Sequence, residues 1–207
     1  MGVGMLRTFA VFSLTLLGSL PLGMIVALLK KSRFAPVRLF ISGYISIIRG
    51  TPLMLQLLVW YFGIPFYLLG MNISNWRFPA LIFGFVVNYA AYFAEIYRGG
   101  IESIPVGQYE AAEVLGYTHT QTFMRIILPQ VVKRIMPSVT NEVITLVKDT
   151  SLAFTLAYQE VFSLAKQISA SQTSFTPFLI AGVFYFVANY VVEFVMQRIE
   201  KSMDYYK

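Results

Sequence analysis

Residues 8–29 contain no Asp, Glu, Lys or Arg, and that run limits what this chain can fold into more than any other feature. At ~1.5 Å per residue, a helix over it crosses the ~30 Å hydrocarbon core of a bilayer. A secretory leader has a shorter apolar region behind a basic stretch. Here only Arg7 precedes the run, while Lys30, Lys31 and Arg33 follow it, so it reads as a retained span. Four more apolar stretches follow. Residues 39–66 are interrupted by Arg49. Residues 78–94 are closed by Glu95, Arg98 and Gly99-Gly100. Residues 135–158 are weaker and hold Glu142, Lys148 and Asp149. Residues 177–192 end before Glu193 and Arg198. The expected fold class is an all-α integral membrane protein with five transmembrane helices. Residues 1–207 are expected to form one transmembrane domain.

Composition agrees. The chain is 57% hydrophobic and 13% charged, against roughly 45–50% and about 25% in soluble domains; a soluble fold could not cover that much apolar surface. It has no cysteine and a single histidine, His119, which excludes a disulfide framework and any site built from several imidazoles. The net charge of +6 is scattered between apolar runs and not gathered on a soluble domain, so no nucleic-acid partner is expected.

The cations sort by topology. Lys30, Lys31, Arg33 and Arg38 follow the first run; Arg98, Arg125, Lys133 and Arg134 follow the third; Arg198, Lys201 and Lys207 follow the fifth. The opposite loops carry only Arg77 and Lys166. Positive loops face the cytoplasm, which predicts an outer N-terminus and a cytoplasmic tail. Trp60, Tyr61, Trp76 and Tyr158 then fall near the outer edges, where aromatic belts sit.

Residues 99–133 are the least membrane-like part of the chain. Residues 108–115 favour a short helix, with Pro105 in its first turn and Gly116 as its terminating glycine. Thr118 and Gln121 match a capping box for a second short helix, which Pro129 is expected to interrupt. The pattern suits a small rigid peg, and composition alone suits an amphipathic loop lying on the bilayer slightly better.

The spacing within this loop adds a resemblance. Glu110-Ala111-Ala112, three residues, Gly116, nine residues, then Ile126-Ile127-Leu128-Pro129 resembles the EAA signature of ABC-importer permeases, with every specified position filled. Arg49-Gly50-Thr51-Pro52, residues 104–108 and residues 146–152 are similar to the polar-amino-acid subfamily. The resemblance implies a type I importer permease fold in a bacterial cytoplasmic (inner or plasma) membrane. It implies that Glu110, Ala111, Ala112 and Gly116 dock on an ATP-binding cassette ATPase, braced by Ile126, Leu128 and Pro129. It further implies a second permease subunit, identical or related, an amino acid substrate, and an extracellular substrate-binding protein that would touch the short outer loops at residues 70–76 and 159–176. ATP and Mg would be held by the ATPase, because this chain has no phosphate-binding G-x-x-x-x-G-K-[ST] run and is expected to be neither an enzyme nor a metal binder.

Ionisable groups inside spans cost several kcal/mol unless paired or hydrated, roughly, so each is a candidate site. Arg49, Thr51, Glu142, Lys148, Asp149 and Thr150 are the candidates for a polar pathway, where a zwitterion would meet both charge signs. The competing reading is ion pairing between spans or across a dimer, and for Arg49 one carboxylate would suffice. Gly50-Thr51-Pro52 should open the second helix locally. Asn88 suits an interhelical link, and Glu95 with Arg98 an i, i+3 pair. A stand-alone secondary transporter or channel would call for more spans, an inverted repeat or a charged ring, and a membrane enzyme for a nucleophile–base spacing. The sequence has none of these.

Overall fold

The computed structural model describes residues 1–68, 70 and 75–203, and all regular structure among them is helical. The α-helices are α1 (Gly2–Lys30), α2 (Ala35–Gly50), α3 (Leu53–Leu58), α4 (Arg77–Glu102), α5 (Val106–Val114), α6 (His119–Thr122), α7 (Leu128–Asp149), α8 (Val161–Gln172) and α9 (Thr176–Ser202). Wider π turns occupy Val59–Leu68 and Phe123–Ile127, and a 3-10 turn covers Thr150–Leu156.

Helix α4 is the centre. Of its most apolar stretch 67% is buried, against 33% in α1 and 11% in α9. Helix α1 lies parallel to it, Gly18 beside Val86 and Gly23 beside Phe93. The buried side of α1 is made of small residues at helical spacing, Gly4, Thr8, Val11, Thr15, Ser19 and Gly23. Such a stripe lets two membrane helices approach closely, where packing rather than water exclusion holds them. A Cβ on Gly23 would come 2.8 Å from the Phe93 Cβ and 3.1 Å from the Ala90 carbonyl oxygen, so only glycine fits there. Helix α7 runs antiparallel to α4: Gly100 faces Ile135, and Tyr89 faces Asp149. The end of α9 returns to the start of α7.

The second apolar run is not one straight span. Its two halves, α2 and the helix beginning with α3, meet at a bend of 112°. Thr51 is extended, as the residue before a proline prefers, and Pro52 caps α3. Pro52 has no N–H to give the Ile48 carbonyl four residues back. Buried Gln56 supplies it: its Nε2 donates to Ile48 O at 2.8 Å, Thr51 O at 3.0 Å and Thr51 Oγ1 at 2.9 Å. Asn88 of α4 in turn donates to Gln56 Oε1 at 2.9 Å. The expected opening at residues 50–52 and the expected link through Asn88 are therefore one hydrogen-bonded unit.

Among the described residues, three helices, α1, α4 and α9, are long and apolar enough to cross a membrane, and the bent pair makes up to four. The fifth expected span, residues 135–158, differs. Helix α7 begins earlier, at Leu128, ends at Asp149 and passes into the 3-10 turn. Its charged residues keep it below the apolarity of a span, although it packs against α4 as α1 and the bent pair do.

Two loops also depart from expectation. Pro129 interrupts nothing: it sits in the first turn of α7. The π turn at Phe123–Ile127 widens the backbone just ahead of it, where the proline ring would otherwise meet the Arg125 carbonyl. Residues 159–176, expected as a short loop, contain α8. Its N-cap, Glu160, is fully buried and accepts hydrogen bonds from the Phe162 and Ser163 N–H groups at 2.6 Å each and from the Tyr185 hydroxyl at 2.9 Å. The other expected outer loop, residues 70–76, lies largely outside the described residues. Trp76 donates to Trp60 O at 3.1 Å, and Tyr158 stacks on Phe78 at 5.5 Å, which gathers these belt aromatics at the end opposite α5.

Candidate functional site: a capped peg and a polar face

The peg is built from local chemistry. Pro105 caps α5 from just outside, one position earlier than expected. Gly116 ends it with φ +77°, a backbone that costs any L side chain energy. The Tyr117 N–H donates to Ala112 O at 3.0 Å and the Gly116 N–H to Glu113 O at 2.9 Å, the paired bonds of a Schellman cap. Directly after it, Gln121 N–H donates to Thr118 Oγ1 at 3.3 Å and Thr118 N–H to Gln121 Oε1 at 3.0 Å. The capping box is present in full, and only Tyr117 lies between the two caps.

The peg is fixed to the bundle through its second half. Gln130 donates to Gln108 Oε1 at 3.2 Å, and the Arg134 guanidinium donates to the Ser103 carbonyl. Ile126, Leu128 and Pro129 are half-buried, whereas Ile127 between them is completely buried. Ile127 fills the unspecified position of the signature, so the sequence pattern passed over it. The two alanines separate: Ala112 is packed inside and Ala111 faces outward with Glu110. Val114 and Leu115 stand 88% and 73% exposed beside Gly116. A charged rim around exposed aliphatic residues on a rigid element is the make-up of a protein-docking surface.

The polar face lies between α2, α4 and α7. Arg49 Nη1 is 3.8 Å from Glu95 Oε2, and the guanidinium stands 5.3 Å over the Tyr92 ring. Glu95 is a hub, bound also by Lys30 of α1 and by Arg98 Nη2 at 2.8 Å. Arg98 reaches on to Glu102. The expected Glu95–Arg98 pair is thus one edge of a network joining three helices. A cleft of about 560 Å³ runs from Arg49 and Glu95 across to Glu142. Asp149 lies seven residues beyond Glu142, on the same face of α7, and accepts from the Tyr89 hydroxyl at 2.8 Å. The carboxylate that Arg49 meets is on α4, not on α7.

Of the six pathway candidates, Arg49, Glu142 and Asp149 share this face. Thr51 sits at the bend, its hydroxyl donating to Ile47 O at 2.8 Å. Lys148 is exposed about 100° around α7 from Asp149. Thr150 is buried and turned inward, donating to Val147 O at 2.7 Å. Gln56, Tyr89 and Tyr92 are part of the same surroundings and were not singled out in the sequence. A lone amide four residues after Pro52 was the signal for Gln56; the tyrosines were masked by the many aromatics around them. Among the described residues, no group of three His, Cys, Asp or Glu side chains is placed to hold a metal.

Three comparisons bear on this geometry. The family model described as "Binding-protein-dependent transport system inner membrane component" matches residues 19–205. The L-cystine transport system permease protein TcyB of Bacillus subtilis is 34% identical over 98% of this chain and 86% of its own length. The arginine transport system permease protein ArtQ of the same organism is 35% identical over 97% and 90%. Among solved structures, an amino acid ABC transporter superposes with a TM-score of 0.87 at 33% identity, covering 97% of this chain and 92% of its own. The MetNI methionine ABC transporter, at 20% identity and a TM-score of 0.74, shares the fold. With nearly the whole chain matched, this protein belongs to the family of binding-protein-dependent transport system inner membrane components.

Proposed function

We propose that this chain is the permease subunit of an ATP-binding-cassette importer for polar amino acids in a bacterial inner membrane. Five spans form it, with α7 as the fourth, the N-terminus outside and the peg in the cytoplasm. The parallel course of α1 and α4 and the antiparallel course of α7 support that arrangement. A second permease subunit completes the pathway, because the face carrying Arg49, Glu142 and Asp149 is open along one side. There the carboxylates suit a substrate ammonium and Arg49 suits its carboxylate.

The observation that carries the reading is the doubly capped peg holding Glu110, Ala111 and Gly116 outward. A flexible loop would absorb the movement of a docked ATPase, whereas a capped helix pair passes it to α7 through Ile126, Leu128 and Pro129 and through buried Ile127. ATP and Mg bind in the ATPase, whose closure shifts a two-state membrane domain. An external binding protein delivers the substrate. Relatives named for cystine and arginine support an amino acid as cargo.

The test is uptake of labelled amino acids by liposomes containing the chain, its ATPase and its binding protein. Uptake that needs all three and ATP is the expected result. Uptake that persists without the ATPase would overturn the reading in favour of a stand-alone transporter.

A further inference from the structure

We infer that the end of α9 nearest the peg, together with the start of α7, forms a binding site for an anionic phospholipid. The cleft between the two helices has a volume of about 920 Å³ and, among the described residues, is lined by Lys133, Arg134 and Lys201, with Glu200 as an opposing charge. Gln197 and Lys201 are shared with a second cleft, which adds Arg198. The excess of cations matches a phosphodiester, and basic pockets between membrane helices are suited to acidic headgroups.

What selects a lipid over a soluble anion or an acidic protein segment is the surface below the cleft. Val183, Val187, Tyr190 and Phe194 follow one another at helical spacing and continue into Gln197 and Lys201 on the same face of α9. All four are exposed, Val183 and Tyr190 at 64% each. From Val183 to Phe194 the stripe is roughly 17 Å long at ~1.5 Å per residue, close to half of a ~30 Å hydrocarbon core. A phosphate seated among Lys133, Arg134 and Lys201 would therefore lay its acyl chains along an apolar track of matching length. The guanidinium of Arg198, 4.9 Å over the Phe194 ring, stands where headgroup and chains meet. The site needs only that α9 crosses the membrane; Gln108, Gln130 and Arg134 of its lining also tie down the peg, and Arg134 borders the polar face, whereas Lys133 and Lys201 belong to neither.

The test is native mass spectrometry of the full chain in its assembled complex, offered equal amounts of phosphatidylglycerol and phosphatidylcholine with the same chains. The complex should retain phosphatidylglycerol preferentially. Lys133→Ala with Lys201→Ala should lower that occupancy roughly fivefold per cation removed and leave phosphatidylcholine binding unchanged. Arg33→Ala with Arg38→Ala removes the same charge elsewhere and should leave the preference intact. Lys201→Glu alone, at an exposed helix end, gives a milder variant that keeps the fold. Equal retention of the two lipids by the wild type would overturn the inference, as would equal losses in the two double variants. Displacement of the lipid by free glycerol phosphate would assign the cleft to a soluble anion and overturn it as well.

Discussion

Gln56 takes over a hydrogen bond that Pro52 cannot make, and with Asn88 it forms a chain of satisfied polar groups inside an apolar bundle. Replacing it by leucine keeps the volume and leaves the Ile48 and Thr51 carbonyls and the Asn88 amide without that partner. Gln56→Leu should cost about 1–3 kcal/mol, read as a lower thermal transition of the purified complex, with Gln56→Glu unable to restore it because a carboxylate has no donor. Glu160 makes a second residue-scale case. Burial pushes its carboxyl above the ordinary range, against the pull of two backbone N–H groups and the Tyr185 hydroxyl. A folded-state value above the unfolded one favours the protonated fold: that contribution is complete below the unfolded carboxylate range and is lost as pH rises through the raised value. Glu160→Gln keeps the capping oxygen and removes the titration. The melting temperature of the wild type should therefore fall relative to Glu160→Gln between pH 4 and pH 8, and parallel curves would refute it.

At the scale of elements, the legible parts were those whose chemistry is complete within a few residues. Gly116 and the Thr118–Gln121 box each declare a helix end through contacts three to five residues apart. Pro52 announced the bend in the second apolar run in the same way. The sequence misled where the deciding partner lies far off. Lys30 meets Glu95, and Tyr185 meets Glu160, only after the helices have packed. Residues 159–176 looked like a loop because the N-cap of α8 is a glutamate, and its capping role depends on burial that no local pattern records. Pro129 looked like a break because the π turn that accommodates it has no local sequence mark. The contact of α1 with α4 gives a prediction at this scale. Gly23→Leu forces a side chain against Phe93 and the Ala90 carbonyl and should destabilise the pair by about 1–3 kcal/mol. Gly2→Leu, where a Cβ meets nothing, should be neutral in the same thermal assay.

For the whole molecule, a rigid route runs from the peg to the polar face. It starts at Ala111 and Gly116, passes through Ile127 into α7, and reaches Glu142 and Asp149 on the same helix. Opposite stands α4, carrying Tyr89 and the Glu95 network that holds Lys30 and Arg49. Movement of α7 against α4 would change the width of the cleft between Arg49 and Glu142. In the proposed function, the peg transmits ATPase closure to this pair. The most direct test is ATP-dependent amino acid uptake by the reconstituted complex, comparing the wild type with Gly116→Asp. Assembly is followed by co-purification, and ATP hydrolysis is measured in parallel. The left-handed backbone at Gly116 makes the substitution unwind the cap without touching the polar face. The expected result is a folded permease that loses uptake, with weakened ATPase retention or hydrolysis no longer tied to transport. Full uptake by an assembled Gly116→Asp complex, at the wild-type number of ATP molecules per substrate, would contradict it.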